Sequence, residues 1–175
     1  MRTQILLLLA ACLVASSVGF QDRSQRVLAQ SSLRPATADV ELFVKQALED
    51  RFAARDIPDY NLLRDATRVA IQEEMPRAGL ILSPRALPQR EGYEFHLVSG
   101  PAAQADANRA GQAVPFITVD QPLITENTAT LSLGIDLAVP QKPDSVKLCC
   151  CTGLGRFRQV DGRWRFVEWS SLTCA

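Results

Sequence analysis

The sequence predicts an α+β fold, in which a long N-terminal helix packs on a curved antiparallel sheet that ends in a four-strand meander. Three observations lead to this prediction. Apolar residues recur at spacings of three and four over residues 37–56, which is typical of an amphipathic helix. From residue 93 onward the chain alternates apolar and polar residues in short runs, as half-buried strands do. Short turn sequences separate the last four runs, so consecutive strands should pair antiparallel.

The composition indicates a folded domain and argues against two classes of protein. Of the 175 residues, 47% are hydrophobic and 22% are charged, which is ordinary for a chain that buries a core and unlike a disordered one. The 19 basic residues are balanced by 19 acidic ones, whereas electrostatic binders of nucleic acid carry a basic excess. We therefore expect a single globular domain over residues 38–175 that does not bind nucleic acid.

The N-terminus has the parts of a secretory signal peptide. Arg2 provides the positive charge, residues 5–15 form an uncharged apolar run, and cleavage after Ser17 or Gly19 would find the small residues that a signal peptidase needs. We expect export to the periplasm or the extracellular space, with no membrane span after cleavage. The predicted parts are a signal peptide over residues 1–19 and a disordered tether, rich in Gln, Ser and Arg, over residues 20–37.

Two alternatives keep the N-terminus in a membrane. The apolar run could remain as an anchor, but the 16 residues from Ile5 to Phe20 fall short of the ~20 that span a bilayer. Residues 9–12, Leu-Ala-Ala-Cys, also resemble the lipobox of bacterial lipoproteins, in which the cysteine, here Cys12, is acylated. In either case the domain leaves the cytoplasm.

The first predicted element is a helix that begins at Thr37 and ends near Asp56. Thr37 is a good N-cap, and Asp39 and Glu41 fall in the first turn, where the helix dipole favours acidic side chains. One apolar stripe should pack against the sheet: Val40, Phe43, Val44, Ala47, Leu48 and Phe52.

The elements that follow are mostly strands. Residues 67–73 alternate like a strand, although a helix would also suit the spacing of Leu62, Leu63, Ala66 and Ala70. Residues 76–92 contain enough proline and glycine to predict mainly a loop. A strand over residues 93–98 should place Tyr93, Phe95 and Leu97 on one face. A short helix over residues 101–110 should end at Gly111. The remaining strand candidates span residues 114–119, 129–139, 146–160 and 163–173.

This order of elements resembles the nuclear-transport-factor-like group of cystatin-like folds. In that group a strongly curved sheet wraps around a long N-terminal helix, and the resemblance covers residues 38–174 in element order. It implies the same arrangement in this chain. It also implies that a small-molecule pocket or an enzyme site could lie between sheet and helix, although other proteins of this shape only mediate assembly.

Few residues are candidates for catalysis. His96 is the single histidine, so a histidine-based metal cluster is excluded and any acid/base unit would have to use this residue. Glu94 shares its strand face, which makes Glu94 and His96 the candidate pair. The alternative is a partly exposed strand histidine with no catalytic role. Asp120 and Asp136 are candidate pocket carboxylates, and we predict neither a cofactor nor a metal.

A cluster of basic residues is the candidate binding site. Gly153 and Gly155 precede a predicted strand, whereas a phosphate-binding loop precedes a helix, so we interpret them as a bulge or bend in the strand. Four arginines then crowd the tip of the last hairpin and could bind an anionic ligand, unless they form only a solvated hairpin end: Arg156, Arg158, Arg163 and Arg165.

The cysteines predict a disulfide. Cys149, Cys150, Cys151 and Cys174 form an even set beyond the signal peptide, in a compartment that permits disulfides. If Asp161-Gly162 is a two-residue type I′ turn, cross-strand pairing continues outward from it and aligns Phe157 with Phe166. The same register aligns Cys149 with Cys174, the predicted bridge.

Two alternatives to this pairing remain. A bulge at Gly153 or Gly155 would shift the register and bring another cysteine of the triplet opposite Cys174. A thiolate metal site is the rival, although structural zinc sites prefer paired C-x₂-C spacings. A bridge from Cys174 to some member of the triplet is therefore a firmer prediction than the choice of Cys149.

Two hypotheses for the function follow. The first is an exported domain that acts without catalysis, by binding a partner or by structural association. The second is a small-molecule pocket protein, which could be an enzyme, of nuclear-transport-factor-like fold. A filled core between the first helix and the sheet would favour the first hypothesis, and a cavity lined by residues such as His96 or Asp136 would favour the second.

Overall fold

The computed structural model of the protein describes residues 37–141 and 150–174. A long helix and a shorter one accompany a mostly antiparallel sheet, which confirms the α+β class. Helix α1 spans Thr37–Ala54, close to the prediction, and helix α2 spans Gly100–Ala110. The strands are β1 (Arg68–Gln72), β2 (Glu74–Met75), β3 (Leu80–Ile81), β4 (Glu94–Val98), β5 (Val114–Ile124), β6 (Thr128–Ala138), β7 (Cys151–Val160) and β8 (Arg163–Cys174).

Six strands form the main sheet, in the order β4-β1-β5-β6-β7-β8, and β2 pairs with β3 in a separate hairpin. Strands β5 to β8 are antiparallel neighbours in chain order, which confirms the predicted meander. The expectation of a wholly antiparallel sheet is wrong, because β1 lies parallel to both β4 and β5. Helix α2 links β4 to β5 and carries the chain back along the sheet, so these strands run in the same direction.

Helix α1 packs its apolar stripe on one face of the main sheet, which we call the inner face. Phe43 is fully buried and meets the rings of Phe157 and Trp164 edge-on, with centroids 5.3 and 5.1 Å away. Near the end of the helix, Phe52 is 1% exposed. It packs against three further rings, those of Tyr60, Tyr93 and Phe95. The predicted stripe is therefore core, and these aromatic contacts join α1 to both halves of the sheet.

Helix α2 covers part of the opposite face, which we call the outer face. The Ser99 hydroxyl accepts a hydrogen bond from the Ala102 N–H at 3.3 Å, and Gly111 ends the helix with φ at 66°. Ala103 and Ala107 are buried in a small second cluster that includes residues of four strands: Ala70, Val98, Phe116 and Ala138. Farther along the meander, the outer-face residues of β7 and β8 are mostly exposed.

Strand β8 is one edge of the sheet, and α1 protects its first half. The Trp164 N–H donates to the Gln46 side-chain oxygen at 2.8 Å, and the Phe166 N–H donates to the Asp50 carboxylate at 3.3 Å. Arg51 pairs with Asp50 at 2.8 Å and lies 3.7 Å from the centre of the Phe166 ring. These contacts satisfy backbone donors that an edge strand would otherwise leave open to other chains.

The β7–β8 hairpin follows the predicted register only near its turn. Asp161 and Gly162 have φ of 51° and 74°, and a type I′ turn requires positive φ at both residues. Phe157 faces Phe166, as predicted. Beyond that pair, β8 contains two bulges, at Val167 and Ser170, and each inserts one extra residue.

The two bulges change the disulfide. The shifted register brings Cys151, not Cys149, opposite Cys174, and Cys151 and Cys174 form a disulfide with their Cα atoms 4.1 Å apart. The bridge from Cys174 to the triplet is confirmed, whereas the choice of Cys149 is wrong because each bulge moves the register by one residue. Cys149 lies outside the described residues, and so do Cys12, the predicted signal peptide over residues 1–19 and nearly all of the predicted tether.

Among the described residues, two predicted elements differ from the structure by more than two residues, and the predicted start of the strand over residues 146–160 lies outside those residues. The predicted loop over residues 76–92 contains β3 and a turn of 3-10 helix over Pro84–Ala86. Strand β5 is longer than the predicted 114–119, because it continues past a bulge to Ile124. Within the described ranges, no helix is both long enough and apolar enough to cross a membrane.

Candidate functional site on the outer face of the sheet

The four arginines of the β7–β8 hairpin share the outer face. The aromatic residues between them are buried against α1 on the inner face. Because neighbouring residues along a strand point to opposite faces, the arginines that flank these rings point outward. All four are exposed. We call them the arginine cluster: Arg156, Arg158, Arg163 and Arg165.

The charges of the arginine cluster are only partly neutralised. Arg156 pairs with Glu168 of the adjacent strand at 2.7 Å. Arg158 lies directly opposite Arg165, and like charges in that position repel. Among the described residues, no carboxylate lies within 4.0 Å of Arg158, Arg163 or Arg165. Four arginines and one glutamate leave a net charge of 4 − 1 = +3 on this surface, which attracts anions.

A groove of about 480 Å³ adjoins the arginine cluster on the same face. The strand registers align Thr118 of β5 with Thr152 of β7 and Thr173 of β8, on either side of Gly134. A second row of Asp120, Ser132, Leu154 and Ser171 lies beside the first. We call this feature the hydroxyl groove after the side chains that line it: Thr118, Ser132, Thr152, Ser171 and Thr173.

A bulge in β5 forms part of the hydroxyl groove. The register shifts between Asp120 and Leu123, and Gln121 has φ at 51°, a conformation that few residues other than glycine adopt. One oxygen of Asp120 accepts the Gln121 N–H at 2.8 Å, and the other lies 3.9 Å from Arg77. The bulge thus brings polar side chains into the groove at a cost in backbone strain, a combination common at binding sites.

Cys150 also lines the hydroxyl groove. Burial raises the pKa of its thiol, and the nearby Asp136 carboxylate raises it further. The nucleophilic form of cysteine is the thiolate, so a raised pKa makes Cys150 a poor nucleophile at neutral pH. The arrangement around Asp136 therefore does not activate a thiol for catalysis.

The candidate catalytic pair lies at the opposite edge of the sheet, on β4. The Glu94 carboxylate lies 3.6 Å from Arg68 of β1, and no hydrogen bond joins it to His96 among the described residues. Burial lowers the pKa of His96, and the charge of Arg68 lowers it further. His96 Nδ1 is buried without a hydrogen-bond partner in the described part of the chain. A catalytic role for Glu94 and His96 therefore stays a prediction.

The interface between α1 and the sheet is filled by side chains. Phe43, Val44 and Ala47 have no exposed surface, and Phe52 is 1% exposed. The resemblance to nuclear-transport-factor-like proteins implies a pocket between the helix and the sheet, where these buried side chains lie. Residues 37–141 and 150–174 also bring no three His, Cys, Asp or Glu side chains close enough together to hold a metal ion.

Sequence reasoning found the arginine cluster but missed the hydroxyl groove. A signal was present, because Ser132, which lines the groove, follows Thr128 and Thr130 at every second position of β6, so the three hydroxyls share a face. The sequence could not align them with β5 and β8, since that alignment depends on bulges in both strands.

Comparisons of the chain with models of known protein families, with curated proteins and with solved structures find no match.

Proposed function

We propose that the protein is an exported, non-catalytic binding domain that takes up anionic ligands on the arginine cluster. The observation that carries this proposal is the cross-strand pair of Arg158 and Arg165. Like charges in this position cost stability in the free protein. An anion between the two guanidinium groups would relieve the repulsion and accept charge-assisted hydrogen bonds from both.

The non-catalytic part of the proposal is supported by the titratable groups. The pKa of His96 is lowered by burial, and the pKa of Cys150 is raised by burial. Each of these two side chains is therefore held in its neutral form at neutral pH. Neither of them belongs to the arginine cluster. The alternative, a small-molecule pocket protein of nuclear-transport-factor-like fold, has no comparable support because side chains fill the space between α1 and the sheet.

The exported location is supported by the disulfide between Cys151 and Cys174, which is consistent with an oxidising compartment. N-terminal sequencing of the protein recovered outside the cytoplasm tests it. We expect the mature chain to begin after Ser17 or Gly19. An acylated Cys12 at the N-terminus would identify a lipoprotein instead, and an intact Met1 would contradict a cleaved signal peptide.

Anion binding is tested with inorganic polyphosphate, whose affinity is measured by calorimetry at low ionic strength. We expect the wild type to bind and the double variant Arg158→Gln/Arg165→Gln to bind about tenfold more weakly, since two exposed charge contacts each contribute up to ~1 kcal/mol. The matched control is Arg64→Gln/Arg109→Gln, which removes two charges from side chains that are 75% and 78% exposed elsewhere.

Three results decide the proposal. Loss of affinity in the Arg158/Arg165 variant but not in the control supports it, provided that neither variant unfolds at a lower urea concentration than the wild type. Equal losses in both variants would show a response to net charge alone and contradict a specific site. A wild type that does not bind polyphosphate at low ionic strength would also contradict it.

A further inference from the structure

We infer that the ligand is an acidic polysaccharide, which runs from the arginine cluster along the hydroxyl groove; this inference rests on the proposed anion site and names the class of its ligand. Both features lie on the outer face of the same strands. Along β7, the outward residues are Arg158, Arg156, Leu154 and Thr152 in succession. They cover six residue steps, or about 20 Å of extended chain, which suits a polymer rather than a single small ion.

The two ends of this surface are joined by a smaller pocket. It has a volume of about 200 Å³ and is lined by Arg156 and Arg158 together with three threonines: Thr125, Thr128 and Thr130. Thr130 and Ser132 are successive outward residues of β6, so this pocket and the hydroxyl groove are neighbours. Leu123 and Val167, which are 63% and 54% exposed, also line the smaller pocket. The result is one continuous track that has positive charge at one end, hydroxyl groups at the other and apolar side chains between them.

The chemistry of the track distinguishes a sugar chain from other polyanions. Serine and threonine hydroxyls both donate and accept hydrogen bonds, as the hydroxyls of a sugar do. A polyphosphate chain has acceptor oxygens but no hydroxyl groups along its length. It can therefore accept hydrogen bonds from the arginines and from the groove hydroxyls, but it has no donor for the hydroxyl oxygens of the groove. Single-stranded nucleic acid would need exposed aromatic rings for stacking. Phe157, the aromatic residue that borders the smaller pocket, is buried, with 1% exposed.

The acidic groups on the track do not oppose an anionic chain. Asp120 lies 3.9 Å from Arg77, and Glu168 pairs with Arg156 at 2.7 Å, so both of these carboxylates have a basic neighbour. Asp136, beside Cys150, has no ion-pair partner in the described part of the chain but is not among the residues that line the groove. The hydroxyl groove is therefore close to neutral, while the arginine cluster remains positive. Such a surface binds the carboxylate or sulfate groups of a glycan at one end and its hydroxyl groups at the other.

The test compares two polymers and two double variants of the full mature protein. The polymers are heparin-derived oligosaccharides of increasing length, which carry sulfates, carboxylates and hydroxyls, and polyphosphate of matched charge. The groove variant is Thr152→Val/Thr173→Val, which removes two exposed, cross-strand hydroxyls but keeps the β-branched shape. Thr67→Val, at an exposed position outside the track, is its control. The cluster variant is Arg158→Gln/Arg165→Gln.

We expect the affinity for the oligosaccharide to rise with its length. The groove variant should bind the long oligosaccharide about tenfold more weakly, because two hydrogen bonds are lost, and should bind polyphosphate as the wild type does. The cluster variant should weaken binding of both polymers, and Thr67→Val should change neither.

Other results would overturn the inference in distinguishable ways. If the groove variant binds the oligosaccharide as tightly as the wild type, the glycan inference fails while the anion site stands. The same holds if the groove variant weakens polyphosphate binding as much as oligosaccharide binding. If neither polymer binds the wild type, the inference and the proposed function fail together.

Discussion

The groups around the His96 imidazole favour its neutral form. Burial lowers the pKa of His96 below its usual value of about 6.5, and Arg68 on β1 lowers it further, while Glu94 on β4 and Asp106 on α2 oppose the shift. The unfolded chain then binds the proton more readily than the folded one. The stability that this group contributes is therefore complete above the unfolded pKa and is lost as the pH falls through the folded pKa.

This prediction can be measured on one signal, since the chain has a single histidine. An NMR titration of the folded protein should give a pKa below that of a denatured sample. As the pH is lowered below ~6.5, the free energy of unfolding of the wild type should fall, and that of His96→Gln should fall less steeply. A folded pKa at or above the denatured value would contradict the assignment of burial as the main cause.

At the same scale, Gly153 is required because Trp169 lies against its backbone. A Cβ at this position would be 2.6 Å from Trp169 Cε3 and 3.1 Å from Pro58 Cγ. We expect Gly153→Ala to lower the free energy of unfolding by about 1–3 kcal/mol, through overpacking. The control is Gly100→Ala, where a Cβ meets nothing within 4 Å and the expected change is neutral or stabilising. Urea unfolding followed by tryptophan fluorescence measures both, and equal stabilities would contradict the packing argument.

At the scale of the elements, Phe52 joins α1 to the loop and strand aromatics beside β4. Its ring lies about 5 Å from three others, with centroid distances of 5.3 Å to Tyr60, 4.8 Å to Tyr93 and 5.1 Å to Phe95. Phe52→Ala should cost about 3–5 kcal/mol of unfolding free energy. Leu42, on the same helix but 51% exposed, provides the control, and Leu42→Ala should cost less than ~0.5 kcal/mol. A small effect at Phe52 would mean that α1 is not anchored in this way.

The disulfide fixes the free end of the edge strand β8. It joins residues 23 positions apart, for which loop entropy gives at most ~3 kcal/mol, and less here because the hairpin already holds the two strands together. Reduction should therefore lower the unfolding free energy by this amount or less. Peptide mapping without reduction should show Cys174 blocked from alkylation in the wild type and in Cys149→Ser. Alkylation of Cys174 in Cys149→Ser would contradict the pairing with Cys151.

How much of the fold the sequence could predict is clearest in the strands. Alternation correctly placed Phe95 and Leu97 on the face that packs against the main core, because a period of two decides the face of each residue. It could not reveal that β1 runs parallel to its neighbours, since alternation has no direction. The turn at Asp161-Gly162 fixed the nearest four pairs of the hairpin, but bulges at Val167 and Ser170 then moved the register. The disulfide and the hydroxyl groove both depend on those bulges, which no local pattern marks.

At the scale of the whole molecule, the two faces of the sheet differ in composition and burial. Large aromatic and aliphatic side chains fill the inner face beneath α1, so this side provides most of the buried apolar surface. On the outer face, α2 covers only a small cluster with alanines, and the rest of the meander presents arginines and hydroxyls to solvent. Substitutions of exposed residues on the outer face therefore leave the core closed, which is why the exposed variants proposed above should fold.

The same division predicts how stability is distributed through the molecule. Ile71 of β1, Ile117 of β5 and Ile135 of β6 are at most 1% exposed and lie on strands with a neighbour on each side. Their amides should exchange with solvent only through global unfolding, with a free energy equal to that from urea. The separate β2–β3 hairpin has two residues in each strand, and Ile81 is 70% exposed, so its amides should exchange by local opening. Hydrogen exchange measured by mass spectrometry or NMR distinguishes the two groups. Equal exchange rates in β6 and in the β2–β3 hairpin would mean that the inner-face core does not hold the central strands as the packing requires.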